Sequence, residues 1–343
     1  MATVAGVDTH LDTFTVAVCN RNGKPISDAT FDNTQQGWSD AATFAAVHDV
    51  DVWAIEGTGS YGRCLTDRLT GWGMQVFEVP TRRTVKNRKR VGGSKSDLID
   101  AVACARAYLE APLAPVTHID QIEAVRVLLR WRESLVHTQT QTINRIKARI
   151  REIDPAMTRN LELVSYKAWR ALESFPHTNN PHADAIACFV QTEAHICGER
   201  LRQIRSLEQR IVTELPLPGQ ALCEQIYGIG PLSAAAILSE VGDVTRFPTE
   251  AKFAMWAAAA PLDASSGKGT HHRYNRGGNR VMDRTLETAI RTQLAHNNQA
   301  VAYIERRRRQ GDTTREAFRS LKRQIVRKVY RTLNQHKPTN NLT

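Results

Sequence analysis

Four carboxylates stand out by type and position. Asp8 ends the apolar run Thr3-Val4-Ala5-Gly6-Val7, and Glu56 ends the run Val52-Trp53-Ala54-Ile55. Both runs have the make-up of short buried strands. If the two strands are neighbours, their acids emerge at the same edge of a sheet. Asp97 and Asp100 are three residues apart in a stretch that continues helically through Arg106, so a helix puts them on one face. Carboxylates gathered in this way repel one another and call for cations. Hard oxygen ligands with open positions suit Mg²⁺ or Mn²⁺. A pair of such ions roughly 4 Å apart can activate the attacking oxygen and stabilise the leaving one in phosphodiester cleavage. Any one of these acids alone is more ordinarily a cap or a surface residue. The combination of two strand-end acids and an i, i+3 pair is what points to a metal site.

A second patch with chemical content runs from Ala260-Pro261 through Ser265-Ser266-Gly267-Lys268 to His271-His272-Arg273. A serine beside glycine, close to Lys268 and Arg273, is a candidate nucleophile on a phosphodiester, with the cations balancing phosphate charge. Spacing does not choose between Ser265 and Ser266, and most such runs are loops. The following Tyr274-Asn275-Arg276-Gly277-Gly278-Asn279-Arg280 offers Arg276, Arg280 and main-chain N–H groups to a phosphate backbone. Gly57-Thr58-Gly59-Ser60-Tyr61-Gly62 lacks the G-x-x-x-x-G-K-[ST] of a phosphate-binding P-loop. It is read as a tight turn behind Glu56, with an ATPase-like phosphate loop as the alternative. Gly228-Ile229-Gly230 has the Gly-apolar-Gly form of a helix-hairpin-helix turn, in which Gly228 and Gly230 would let backbone amides approach a phosphate. A plain helix–helix turn explains it equally well.

The elements that position these residues follow from pattern. Strands at Thr3–Asp8 and Thr13–Val18 precede an Asn22-Gly23 turn and a returning strand near Ile26–Phe31. A helix over 36–48, the strand ending at Glu56, a helix over 61–71 and a strand over 75–79 come next. Three antiparallel strands followed by alternating helices and strands predict an α/β ribonuclease H-like domain over residues 1–112. Arg82, Arg83, Lys86, Arg88, Lys89, Arg90 and Lys95 form a basic stretch free of acids, and Ser96 is placed to cap the helix carrying Asp97 and Asp100. Residues 113–215 read as a helical or coiled-coil arm. One long helix spans 119–153 and ends at Pro155; a second, over 183–215, is able to pack against it antiparallel or to mediate oligomerisation. Residues 216–343 read as a mostly helical domain.

The net charge of +11 is unevenly placed. Residues 1–110 hold 12 basic and 13 acidic side chains and residues 111–266 hold 16 and 17, whereas residues 267–343 hold 18 and 5. The whole excess lies in the last quarter, as expected of a polyanion-binding surface. The six cysteines are scattered and form no C-x-x-C pair, so neither a zinc site nor a disulfide framework is indicated. With no apolar run long enough for a membrane span and no secretory pattern at the N-terminus, a cytoplasmic protein without a membrane partner is expected.

In their order along the chain, several segments resemble the DEDD-type transposases of insertion-sequence family 110, the bridge-RNA-guided recombinases related to pilin-gene invertases. These are Gly6-Val7-Asp8, Glu56-Gly57-Thr58-Gly59-Ser60-Tyr61-Gly62, Lys95-Ser96-Asp97-Leu98-Ile99-Asp100-Ala101, Gly228-Ile229-Gly230-Pro231, Ser239-Glu240-Val241-Gly242-Asp243, and Ala260-Pro261 through Ser265-Ser266-Gly267 to Arg276-Gly277-Gly278-Asn279-Arg280. His10 departs mildly from the residues that usually follow the first Asp. The resemblance implies a Holliday-junction-resolvase-like N-terminal domain with Asp8, Glu56, Asp97 and Asp100 as Mg²⁺ ligands. It further implies a serine nucleophile that maps best onto Ser266, with Ser265 beside it as the alternative. It implies donor and target DNA as partners, an element-encoded noncoding guide RNA, and a homo-oligomer in which dimers assemble into a tetramer with composite sites. Two rivals come from the residues themselves: a hydrolytic junction nuclease using the four acids without a covalent intermediate, and a non-enzymatic nucleic-acid-binding protein.

Overall fold

A computed structural model describes residues 3–91, 96–111, 113, 115–116, 119–159, 161–263, 272–273, 275 and 277–336, with the side chains of 82, 88–91, 263, 272 and 273 excepted. The chain divides into two units, Met1–His118 and Ile119–Thr343.

The first unit begins with β1 (Thr3–Thr9), β2 (Thr13–Cys19), β3 (Pro25–Asp32), α1 (Gln35–Val47) and β4 (Val50–Ile55). It continues with α2 (Arg63–Gly71), β5 (Gln75–Glu78), α3 (Thr81–Val91) and α4 (Asp97–Glu110). The five strands form one mixed sheet in the order β3-β2-β1-β4-β5. β1, β2 and β3 are antiparallel neighbours, while β4 lies parallel to both β1 and β5. The Asn-Gly turn forms as its sequence predicts. Gly23 takes φ +71°, and the Asn20 side-chain oxygen accepts from the Asn22 and Lys24 amides.

Strand alternation sorts the side chains into two layers. Ala5, Val7, Trp53 and Ile55 pack under α1 and α2 with Leu65 and Leu69. Val4, Val52 and Ala54 pack under α4 with Ala101, Cys104 and Ala105. By the same parity Gly6 and Asp8 on β1, and Glu56 just past β4, belong to the α4 side. Gly6 is what lets α4 lie so close: a Cβ there would stand 2.0 Å from the Ala101 carbonyl oxygen and 2.5 Å from the Ala105 amide.

α3 is an element that the sequence pattern does not reveal. Its 11 residues include six Lys/Arg and only one aliphatic side chain, Val85, before the final Val91, so no apolar stripe marks it. It docks on α4 through polar residues instead. Thr84 and Asn87 are buried, and the Asn87 amide donates to the Arg83 carbonyl (3.2 Å) and the Glu110 carboxylate (3.4 Å).

The second unit opens with α5 (Asp120–Ile153), α6 (Pro155–Arg159), α7 (Tyr166–Glu173) and α8 (Pro181–Thr213). Contacts pair rising numbers on α5 with falling numbers on α8, so the two long helices are antiparallel. Arg132 meets Glu208 (2.6 Å), Gln139 donates to the Cys197 carbonyl (3.2 Å), and Arg145 meets Glu193 (3.8 Å). Trp169 and Leu172 of α7 fill one end of this pair against Ile146, Ile150, Val190 and Ala194. The other end of the pair joins a second helical core, where Val125, Leu128 and Ile211 pack with the remaining elements. These are α9 (Leu217–Gln225), α10 (Pro231–Val241), a 3₁₀ turn at Val244–Arg246, α11 (Glu250–Trp256), the short strands β6 (Leu262–Asp263) and β7 (His272–Arg273), α12 (Arg280–His296), α13 (Asn298–Arg309) and α14 (Thr314–Gln335).

Candidate active site

Three elements bring the four acids together. β1 and β4 run parallel in a register that pairs Val7 with Ile55, and the Glu56 amide donates to the Val7 carbonyl (3.3 Å), so Asp8 and Glu56 leave the sheet side by side. Gly57 at φ +76° then turns the chain sharply. The Ser60 and Gly62 amides both donate to the Gly57 carbonyl (2.9 and 3.1 Å). With those two donors spent within the turn, the loop is a support for Glu56 rather than a phosphate cradle. Thr9 Oγ1 fixes it further by donating to the Glu56 carbonyl (3.0 Å). From the other side, Ser96 caps α4 by accepting from the Ile99 amide (3.3 Å), which sets Asp97 and Asp100 in the first turn of a helix lying on β1.

The electrostatics register this convergence. The Asp8 carboxyl is pushed up from the ordinary 3.8 to about 6, first by burial and then by repulsion from Asp100, Asp97 and Glu56, against the opposing pull of His10. The other three acids therefore all act on the Asp8 carboxyl. Asp100 is itself buried. A negative cluster of this kind is satisfied by cations, and its oxygen donors fit a hard divalent ion. Burial holds the neighbouring Cys104 thiol well above its usual pKa, and the charges of Glu56, Asp8 and Asp100 hold it higher still. Among the described residues, the tightest metal-compatible group is Asp8, His10 and Asp97, with one donor atom of each lying within 4.8 Å of the others. His10 Nε2 stands 3.2 Å from Asp8 Oδ2 and 3.4 Å from Asp97 Oδ1. Counting acids in the sequence misses this histidine; its one signal there is its place two residues after Asp8.

Residues 5–155 match a family of transposases described as DEDD transposases of IS110, and residues 220–305 match the transposase family IS116/IS110/IS902. The chain belongs to the IS110 family of transposases. Similar proteins include the 43.6 kDa protein of insertion element IS110 from Streptomyces coelicolor, 27% identical over 281 residues, which span 68% of this chain and 69% of that one. Another is the 44.8 kDa protein of insertion element IS116 from Streptomyces clavuligerus, 23% identical over 321 residues, 80% of each chain. A solved structure, "T. thermophilus RuvC in complex with Holliday junction substrate", is matched at 13% identity over 34% of this chain and 100% of that chain. Its TM-score of 0.29 is too low to carry the fold, which rests on the strand order and directions above.

The transposase places its basic residues on separate elements. Arg83 and Lys86 lie on α3, where Arg83 donates to the Ala111 carbonyl (3.2 Å) and Lys86 approaches Glu110 (3.9 Å). Arg82, Arg88, Lys89 and Arg90 share that helix, and Lys95 lies outside the described residues. In the second unit, Gly228 at φ +85° sits in the turn between α9 and α10. A Cβ there would meet the Ala289 carbonyl oxygen of α12 at 2.6 Å, so close packing on α12 accounts for this glycine. Gly230 has open space around it and precedes Pro231 at the start of α10.

Ser265, Ser266, Lys268 and Arg276 lie outside the described residues; Arg273 belongs to β7, and its side chain is not described. β6 and β7 pair antiparallel, Leu262 with Arg273 and Asp263 with His272, which ties together the two ends of the serine stretch. Beyond it, Asn279 caps α12 by accepting from the Met282 amide (2.8 Å) and donates to the Glu240 carboxylate. Arg126 of α5 in turn donates to the Ser239 carbonyl (3.0 Å). The Ser239–Asp243 motif thus braces the start of α12, where Arg280 is exposed. A cavity of about 910 Å³ adjoins the same region, lined by Pro261, Asn275, Arg315, Phe318 and Arg323 among others. No helix among the described residues is long and apolar enough to cross a membrane.

Proposed function

We propose that this transposase cuts and rejoins DNA through a divalent-cation site held by Asp8, Glu56, Asp97 and Asp100 on a ribonuclease H-like domain, working with a serine nucleophile at Ser266. The observation that carries this reading is the convergence on Asp8 of three further acids, Glu56 just past β4 and Asp97 and Asp100 on α4. When bound, Mg²⁺ or Mn²⁺ supplies Lewis-acid stabilisation of phosphate oxygens and a lowered pKa for an attacking hydroxyl. The chain's own contribution is placement. β1 and β4 hold two carboxylates by backbone pairing, and the first turn of α4 presents the other two. Ser266, with Ser265 as the alternative, would attack the phosphodiester through Oγ, giving up its proton as one P–O(sugar) bond breaks and the sugar oxygen leaves as a hydroxyl; the strand, held as a phosphoester, conserves the bond energy for rejoining. Lys268, Arg273, Arg276 and Arg280 would hold the strand, and Gly228 and Gly230 are further candidates for backbone contact. Base pairing by a guide RNA from the element, within a tetramer of composite sites, would choose donor and target. The concentration of basic residues in 267–343 supports a nucleic-acid partner.

A second reading has its own support. The four acids all lie in one unit, Met1–His118, so hydrolysis by that unit alone is chemically self-sufficient. One experiment separates the two. Purified full chain is incubated with element-end DNA, any co-purified RNA and Mn²⁺, and run on a denaturing gel. The serine mechanism predicts a protein–DNA adduct lost in Ser266→Ala and no cutting by Asp8→Asn. Loss of the adduct in Ser265→Ala but not in Ser266→Ala moves the nucleophile by one residue. Free-ended products without any adduct establish hydrolysis, and undiminished cutting by Asp8→Asn overturns the acid site.

A further inference from the structure

His10 follows β1 in the short turn to β2, and its backbone is pinned on both sides. Its amide donates to the Thr13 carbonyl (2.9 Å), and its carbonyl accepts from Asn33 Nδ2 (3.0 Å). The Asn33 amide closes the same turn on the Asp12 carbonyl (2.7 Å). The imidazole is therefore launched from a fixed base. The ring is 45% exposed, yet its Nε2 atom is shielded from solvent. That nitrogen lies 3.2 Å from Asp8 Oδ2 and 3.4 Å from Asp97 Oδ1 without making a hydrogen bond to either. An imidazole serving only to neutralise the acids would direct an N–H along one of these lines. Three lone-pair donors at these separations suit a shared ion better. Ligands about 2.1 Å from a metal stand about 3.0 Å apart when cis on an octahedron and about 3.4 Å apart on a tetrahedron.

The geometry points to His10 as a nitrogen ligand, through Nε2, to the cation held between Asp8 and Asp97. This rests on the acids forming a cation site. It makes the site mixed rather than all-oxygen. An imidazole ligand favours Mn²⁺ and later divalent metals over Mg²⁺, which prefers oxygen. Asn33 is then a positioning residue, acting through the His10 carbonyl.

The test uses Mn²⁺ as the probe on the full chain, with electron spin-echo spectroscopy to detect directly bound nitrogen. The wild type is expected to show ¹⁴N modulation that changes on ¹⁵N-histidine labelling. His10→Gln, whose fold is checked by circular dichroism, is expected to lose it. Because the chain has 11 histidines, the variant identifies which one is bound. The Mn²⁺ dissociation constant should rise about tenfold in His10→Gln and His10→Ala, with less than about a threefold change for Mg²⁺. A Mn²⁺ site that disappears in Asp8→Asn but shows no nitrogen modulation in the wild type overturns the His10 assignment and leaves the acid site standing. Modulation that persists in His10→Gln overturns it too. Mn²⁺ binding unaffected by Asp8→Asn removes the acid site itself, and the His10 assignment with it.

Discussion

Asp8 is the residue at which the energetics of the site concentrate. Its carboxyl keeps its proton to about pH 6 in the folded chain and to near 3.8 in the unfolded one. Between those values the folded state binds more protons, so stability falls as pH rises through this window. The loss is at most about 3 kcal/mol, and about 1–2 kcal/mol once solvent screening is allowed for. In EDTA, Asp8→Asn should therefore be more stable than the wild type at pH 7 by about that amount, with the gap closing at pH 4. Urea midpoints at the two pH values measure this, and parallel wild-type and variant profiles would refute it. Added Mn²⁺ should restore stability to the wild type only. At this scale the acids are legible in the sequence, because each ends a strand-like run or follows a capping serine. His10 is not. Its part depends on a turn held by Asn33, and no spacing rule reports that contact.

At the scale of elements, the docking of α4 on β1 decides whether the acids meet. The sequence shows both elements but not their contact, since that depends on an absent side chain. Gly6 reads as an unremarkable residue in a strand until a Cβ is placed on it and strikes α4 backbone. Backbone cannot rotate aside as a side chain can, so α4 must shift. Gly6→Ala is expected to destabilise the first unit by about 2 kcal/mol or more and to abolish Mn²⁺ binding. Gly59→Ala, where a Cβ meets nothing within 4 Å, should stay within about 0.5 kcal/mol of the wild type. Thermal melts of the two variants, with Mn²⁺ titrations, make the comparison; equal effects would mean that the close approach is not what seats α4. α3 illustrates the opposite difficulty. It is a helix whose buried face is Thr84 and Asn87, so hydropathy patterning has nothing to detect.

Across the whole molecule, composition overstates the available positive charge. The sequence places 18 basic side chains in the last quarter, but acids within it, and Glu250 outside it, pair with several of them. Arg307 pairs with Asp312 (2.6 Å), Arg323 and Arg327 both meet Glu250, and buried Lys322 pairs with Asp283. The surface that binds phosphate is smaller than the charge count. Arg280, exposed at the start of α12, should contribute directly. Arg280→Ala is expected to lower the slope of log affinity for DNA against log salt by about 1. Arg323→Ala should leave that slope unchanged and instead reduce stability. Affinities at three or more salt concentrations test this, and equal slope changes in the two variants would contradict the division between binding and structural arginines. The long helices share a core with the helices that follow them, a contact distant in sequence, and lie in one unit with them.

The pairing of β1 with β4, and of both with α4, also fixes when the acid cluster comes into being. A ribosome makes Asp8 first and Asp100 long afterwards. A nascent chain that stops before α4 carries two of the four carboxylates and no means of bringing in the others. The same is true of a proteolytic fragment ending there. On the proposed function, the four acids can act on DNA only in chains that have completed the sheet and docked the helix. On that reading the fold acts as an interlock, with the proposed cation site assembled only once the first unit is whole.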